Sequence, residues 1–302
     1  MGSDRNMQGK VGLVAGLAII LLGCYPLQAQ VPKYEVDPTW PKPLPGLMVT
    51  GRAGGICVDA QDHIFEVNRG DLQDKEKLVA TPAPPVLEYD SDGNLVNSFG
   101  DFKTAPSSIH GCITDKENNI FVAGNDDAVV QKYTHDGSKM LLQIGTKGLF
   151  DSSTGLITGI AMNQSKTLLN KPADIAVDPS NGDVYIADGY GDHRIAVFDK
   201  SGKFLASWKQ FGRPSGVWVD NNDMIYVADS QSDADPAKPN YNGGCKMGIR
   251  VGSVKDGKVQ YYIPPPAGTS DKVPPPEGIT VDSKGTIYAA AVQGLDVKKY
   301  TK

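Results

Sequence analysis

The chain has 302 residues, 40% hydrophobic and 22% charged, enough apolar content for a full core and too much for a disordered polymer. Its net charge of −5 comes without any basic run, which excludes nucleic-acid binding as a primary role.

In chain order, Arg5 and Lys10 precede an apolar run from Val11 to Leu22. That run is too short to span a bilayer comfortably but suits the core of a signal peptide. Two processing sites compete. Cleavage after Ala29, in Leu27-Gln28-Ala29, releases a soluble protein from Gln30 and makes residues 1–29 the signal peptide. Alternatively Leu21-Leu22-Gly23-Cys24 resembles a bacterial lipoprotein box, which ends the signal at residue 23 and lipidates Cys24. Both routes export the chain to an extracellular or periplasmic compartment, and membrane contact is expected only through an anchor on Cys24. Residues 30–46, with Pro32, Pro38, Pro41, Pro43 and Pro45, read as an extended lead-in.

From residue 47 to 302 one phrase recurs: a hydrophobic strand ending in Val-Asp, a short turn, then a second strand of the Ile-Tyr-Val-Ala type. It reads Gly55–Asp59 then His63–Val67, Gly111–Asp115 then Asn119–Ala123, and Asp174–Asp178 then Val184–Asp188. Gly216–Asp220 then Ile225–Asp229, and Gly278–Asp282 then Ile287–Ala290, complete the set. Short strands at a period of roughly 40–50 residues are the signature of a β-propeller, one blade per repeat. Outer strand pairs follow at Pro85–Tyr89 and Leu95–Phe99, Val129–Tyr133 and Lys139–Ile144, Arg194–Phe198 and Phe204–Trp208, and Ile249–Val254 and Val259–Ile263. The turns between them carry Asp-Gly or Ser-Gly, the chemistry of tight hairpins. The sequence therefore predicts an all-β propeller with five visible blades. Its last repeat has three strands, and Lys33–Asp37 is the candidate fourth that closes the ring. Insertions at 71–84, 145–170, 230–244 and 264–276 read as surface loops able to carry function or hold a protein partner.

Maturation leaves Cys57, Cys112 and Cys245. Cys57 lies two residues before Asp59 and Cys112 three before Asp115, so period-two alternation points them to opposite strand faces. A Cys57–Cys112 bridge is disfavoured on that reading, and both are expected as small core residues.

The run Lys171–Asp178, Val184–Asp188, Arg194–Asp199 and Gly202-Lys203-Phe204 resembles an NHL repeat, a family of propellers that are commonly six-bladed, which leaves a sixth blade possible. Asp188-Gly189-Tyr190-Gly191-Asp192-His193-Arg194 and Asn68-Arg69-Gly70-Asp71 further resemble the lyase domain of peptidylglycine α-amidating monooxygenase. The resemblance implies a catalytic arginine at Arg69 and tyrosine at Tyr190. It places the three zinc histidines on His110, Ser215 and Glu277, the calcium aspartate on Gly278, and a disulfide cysteine on Gly191. A catalytic zinc needs three nitrogen, sulfur or carboxylate ligands plus an open position. His110 and Glu277 could serve, Ser215 poorly, so zinc is doubtful and the calcium site lacks its carboxylate.

The expected function is an exported propeller that binds a small anionic or peptide-like ligand at an axial pocket of Arg69, His110, Tyr190, Ser215 and Glu277. Alternatives are a divergent, metal-dependent amidating lyase cleaving a carbon–nitrogen bond, and a protein-interaction propeller without catalysis. His63 and His135 are expected on the surface, in strand-edge turns, and His193 in solvent. The sequence contains no Gly-rich phosphate loop, Ser-His-Asp arrangement or CxxC pair.

Overall fold

A computed structural model describes residues 37–151, 165–233, 235–237, 245–265, 276–291 and 296–301. A short parallel pair, β1 (Met48–Val49) with β4 (Thr81–Pro82), precedes and overlaps the first of five antiparallel sheets. The first sheet is β2 (Ala53–Val58), β3 (Ile64–Asn68), β5 (Val86–Tyr89) and β6 (Leu95–Phe99). The second is β7 (Ile109–Thr114), β8 (Ile120–Gly124), β9 (Val129–Tyr133) and β10 (Met140–Ile144). The third is β11 (Asp174–Val177), β12 (Val184–Asp188), β13 (Arg194–Phe198) and β14 (Phe204–Trp208). The fourth is β15 (Pro214–Val219), β16 (Met224–Asp229), β17 (Gly248–Ser253) and β18 (Val259–Ile263). The fifth holds three strands, β19 (Gly278–Val281), β20 (Ile287–Ala291) and β21 (Asp296–Tyr300). These are the five expected blades, and most of the expected strand limits hold to within a residue. The expected closing strand, Lys33–Asp37, lies outside the described residues except for Asp37.

Four of the five hydrophobic cores lie between two successive blades. Along β12, Val184 and Ile186 pack toward the second blade, with Phe121, Val130 and Ile175. Tyr185 and Ala187 pack toward the fourth, with Val217 and Val227. Period-two alternation thus serves two cores from one strand, which is why all five β12 residues are buried. The inner strands pack side by side in the order β2, β7, β11, β15, β19. They approach closely enough to explain the glycine that opens most repeats. A Cβ on Gly111 would stand 2.5 Å from Asp174 Oδ1, and one on Gly216 2.5 Å from the Glu277 carbonyl oxygen.

The repeating Val-Asp also has a structural cause. Asp115 Oδ1 accepts the Glu117 and Asn119 backbone N–H groups at 3.1 and 2.8 Å, and Asp220 Oδ1 accepts those of Asn222 and Met224 at 2.8 and 3.0 Å. Each aspartate caps the hairpin between the first two strands of its blade. Ahead of the first blade, Trp40, Leu44 and Met48 cover Ala83 and, on β5, Leu87 and Tyr89.

Cys57 and Cys112 form a disulfide, with Cα atoms 5.8 Å apart, contrary to the sequence expectation. The alternation was sound but the inference from it was not. Consecutive blades of a propeller stack by opposite faces, so cysteines of opposite parity on β2 and β7 meet in the interblade core. Phe65, Val67, Ile109 and Ile120 surround them there.

Candidate functional site

The starts of the inner strands converge at one end of the propeller. His110 is the second residue of β7, Ser215 the second of β15, and Glu277 directly precedes β19. Tyr190 reaches the same point from the turn after β12. Its hydroxyl lies 3.1 Å from His110 Nε2, 3.0 Å from Ser215 Oγ and 2.8 Å from Glu277 Oε2. Ser215 donates to the same Glu277 oxygen at 2.5 Å, while Glu277 Oε1 accepts from Ser230 Oγ at 2.8 Å. Four of the five expected site residues are therefore in direct contact around one phenolic oxygen. Arg69 stands beside them, its Nε donating to the Ile109 carbonyl at 3.0 Å.

His110 Nδ1 lies 3.0 Å from the Ala173 carbonyl, which can only accept. That bond assigns the proton to Nδ1 and leaves a lone pair on Nε2, facing Tyr190. Burial holds the imidazole below its usual pKa; Glu277 works against this, and Arg69 and Arg213 add to it. Burial first, and Glu277 second, push Tyr190 up to about 12, so near neutrality it is a hydrogen-bond donor and not a phenolate base. Its single proton can go to Glu277 or to His110. A ligand that donates to one of these acceptors would release Tyr190 to the other.

Two groups in the site carried no sequence expectation. Arg213 lays its guanidinium over the Tyr190 ring at 3.5 Å, a cation–π contact. Its Nη1 is buried without a hydrogen-bond partner among the described residues. The Arg213 backbone N–H is fixed by Asp229 Oδ1 at 2.6 Å, and Asp229 is itself paired with Arg250. Asp174 opens β11 with some contact to water, yet it is enclosed by neighbouring inner strands. Burial pushes it up to about 7, against the backbone N–H groups of Val217, at 3.1 Å, and Ile175. The cue for Arg213 lay in its position, two residues before Ser215 at the mouth of an inner strand.

The remaining histidines depart from expectation. His193 is half-buried, with its Nδ1 on the Gly212 carbonyl and its pKa lowered by burial. His63 and His135 are also half-buried, and both are paired with carboxylates. Their turns lie at the surface, as expected, but the carboxylates they meet draw both imidazoles partly inward. A separate cleft of ≈ 490 Å³ lies between the second and third blades, lined in part by Asp115, Lys132, Asp178 and Lys200. It shares no residue with the axial cluster.

The fold is a five-bladed β-propeller, and residues 169–198 within its third blade match the NHL repeat family. The chain also resembles the peptide-amidating enzymes. It is 50% identical over 180 residues to the peptidyl-glycine alpha-amidating monooxygenase of Mus musculus, covering 54% of this chain and 17% of that protein. It is 27% identical over 158 residues to peptidyl-alpha-hydroxyglycine alpha-amidating lyase 1 of Drosophila melanogaster, covering 52% and 25%. The chain spans about a fifth of the length of the curated relatives it matches. Among solved structures, a gluconolactonase from Xanthomonas campestris superposes with a TM-score of 0.53 at 15% identity, over 84% of this chain and 73% of that one. That likeness shows the propeller fold.

The residues at the zinc position do not fit a catalytic zinc. They offer one imidazole, one carboxylate and one hydroxyl, and the hydroxyl is hydrogen-bonded to the carboxylate. The Tyr190 hydroxyl sits within 3.1 Å of all three donors, in the space an ion would need.

Proposed function

We propose that the protein is an exported propeller that binds a small anionic or peptide-like ligand at the axial cluster. The observation that carries this reading is the buried, unpartnered Nη1 of Arg213 beside Tyr190. Buried donors are normally satisfied, and a guanidinium prefers a carboxylate or phosphate. Arg69 adds a second positive charge next to His110. The anionic end of the ligand would meet Arg213 and Arg69, and a ligand N–H or O–H would meet the acceptor that Tyr190 leaves at His110 or Glu277. A C-terminal carboxylate followed by its amide offers both features. Export is supported by the N-terminal signal-like segment and by the Cys57–Cys112 disulfide, which suits an oxidising compartment. Among the described residues no helix is long and apolar enough to cross a membrane.

A second reading, a divergent lyase acting on peptidyl-α-hydroxyglycine, is favoured by the relatives' names and by the coincidence of Arg69 and Tyr190 with the family's arginine and tyrosine. The donor set argues against its zinc. Calorimetry with an N-acylated peptide ending in glycine, in the presence of chelator, tests the first reading. Binding that weakens about tenfold or more in Arg213→Ala supports it. Absence of binding, together with zinc-dependent turnover of an α-hydroxyglycine peptide, supports the second.

A further inference from the structure

A second cluster of polar side chains lies at the far end of the inner strands, where β2 runs into its hairpin. Asp59 follows β2, His63 closes the turn, Glu88 comes from β5, and His135 comes from the β9–β10 hairpin of the next blade. One ligand atom from each, His63 Nδ1, His135 Nε2 and one oxygen of each carboxylate, lies within 4.8 Å of the other three. The separations are 2.6 Å for His63–Glu88, 2.8 Å for His135–Asp59, 3.6 Å for His135–Glu88 and 4.0 Å for His63–Asp59. A tetrahedral zinc with bonds of about 2.0–2.1 Å needs ligand atoms about 3.3 Å apart, so these values bracket the requirement.

The cluster is held in place. Asp59 Oδ1 accepts the Gln61 and His63 N–H groups at 2.8 and 2.9 Å, which turns Oδ2 toward the histidines. Phe65 and His135 pack in a T-shaped arrangement, ring centroids 5.5 Å apart. The carboxylates are buried, with 0% and 4% of the Asp59 and Glu88 side chains exposed, while the imidazoles keep 31% and 36%. The exposed imidazole edges give an ion a way in.

The second blade supplies an internal control. There the landmark aspartate Asp115 is met by Lys132 Nζ at 2.6 Å. Lys132 pairs across the ladder with Phe121, as Glu88 pairs with Phe65 in the first blade. The position that carries a built-in cation in one blade therefore carries a second buried anion in the other. Two buried carboxylates that face each other require a compensating positive centre.

We propose that Asp59, His63, Glu88 and His135 bind one zinc-like divalent transition-metal ion that clamps the first blade to the second. Two imidazole nitrogens among four ligands select such a metal over calcium or magnesium, which take oxygen ligands. Four protein ligands make the site structural, and binding displaces the protons that His63 Nδ1 and His135 Nε2 now share with the carboxylates.

The test is titration of chelator-stripped protein with zinc, calcium and magnesium against a chromophoric chelator, with cobalt(II) as a spectroscopic probe. The expected result is one zinc per chain, no competition from calcium or magnesium, and the intense visible bands of tetrahedral cobalt. Affinity should fall about tenfold or more in His135→Gln and stay unchanged in His110→Ala. Glu88→Lys, which copies the second blade, should fold without responding to zinc. Zinc binding that survives His135→Gln, that is lost in His110→Ala, or that calcium matches would overturn the proposal, as would a cobalt complex without tetrahedral bands. Should Glu88→Lys not fold, the wild-type cobalt spectrum and His135→Gln settle the question between them.

Discussion

Replacing Cys57 and Cys112 with alanine removes a covalent link between the inner strands of the first two blades. The bridge closes a loop with a sequence separation of 55. Chain entropy alone assigns a loop of that size about 4 kcal/mol of stabilisation at 25 °C, through restriction of the unfolded chain. Cys112 is 8% exposed and Cys57 packs beside it in the interblade core, so alanine leaves no buried polar group to add to that figure. For a chain of this size about 1 kcal/mol corresponds to a melting shift of about 2 °C, so the double variant should melt roughly 8 °C lower. Urea unfolding of a chain beginning at Gln30, with and without reductant, measures the effect. Reduction of the wild type should lower stability to near that of the variant and leave the variant itself unchanged. Thiol alkylation of denatured, unreduced protein should modify Cys245 and spare the other two. The reasoning fails if the variant lies within about 1 kcal/mol of wild type, or if all three thiols react.

Other expectations follow from buried charge and close contact. Arg194 is fully buried against Asp188 and Asp192 at 2.9 and 3.2 Å, so Arg194→Met should cost about 3–5 kcal/mol in urea unfolding by stranding those carboxylates. Gly111→Ala must push a methyl group against Asp174 and the Ala173 carbonyl, and should lower the melting temperature while also weakening ligand binding through the neighbouring His110. Asp174 is raised to about 7 from 3.8, so its contribution to stability is fully present below about pH 3.8 and is lost as pH rises through 7. Asp174→Asn should therefore gain stability relative to wild type at pH 8 but not at pH 4, and equal differences at the two pH values would contradict the assignment. His110 shifts the other way: its folded pKa is depressed, so its contribution is present above pH 6.5 and is lost as pH falls toward the folded value. His110→Gln should flatten the acid side of the stability profile below pH 6.5.

Much of the fold was legible because the propeller repeats its local physics. The aspartate caps and the strand alternation recur blade after blade, so five copies reinforce one reading. Four of the five residues singled out in the sequence, His110, Tyr190, Ser215 and Glu277, are in mutual contact, since repeat alignment brings three of them to the same end of their strands. What it missed depends on how blades meet. Parity of Cys57 and Cys112 was read as if within one sheet, whereas interblade stacking joins opposite faces. Arg213 is a basic residue two positions before Ser215, which marks the strand end it occupies but not its stacking on Tyr190 from a different blade. His63 and His135 lie 72 positions apart and each reads as an ordinary turn residue. Only the packing of two blades sets them against Asp59 and Glu88.

The most direct test of the account is calorimetric titration of the chelator-treated protein with an N-acylated peptide ending in glycine, repeated with its C-terminal amide and with the Arg213→Ala variant. The account predicts binding of the free carboxylate without added metal, and a loss of about tenfold or more both on amidation and in Arg213→Ala. Equal binding of acid and amide, or binding indifferent to Arg213, would contradict it.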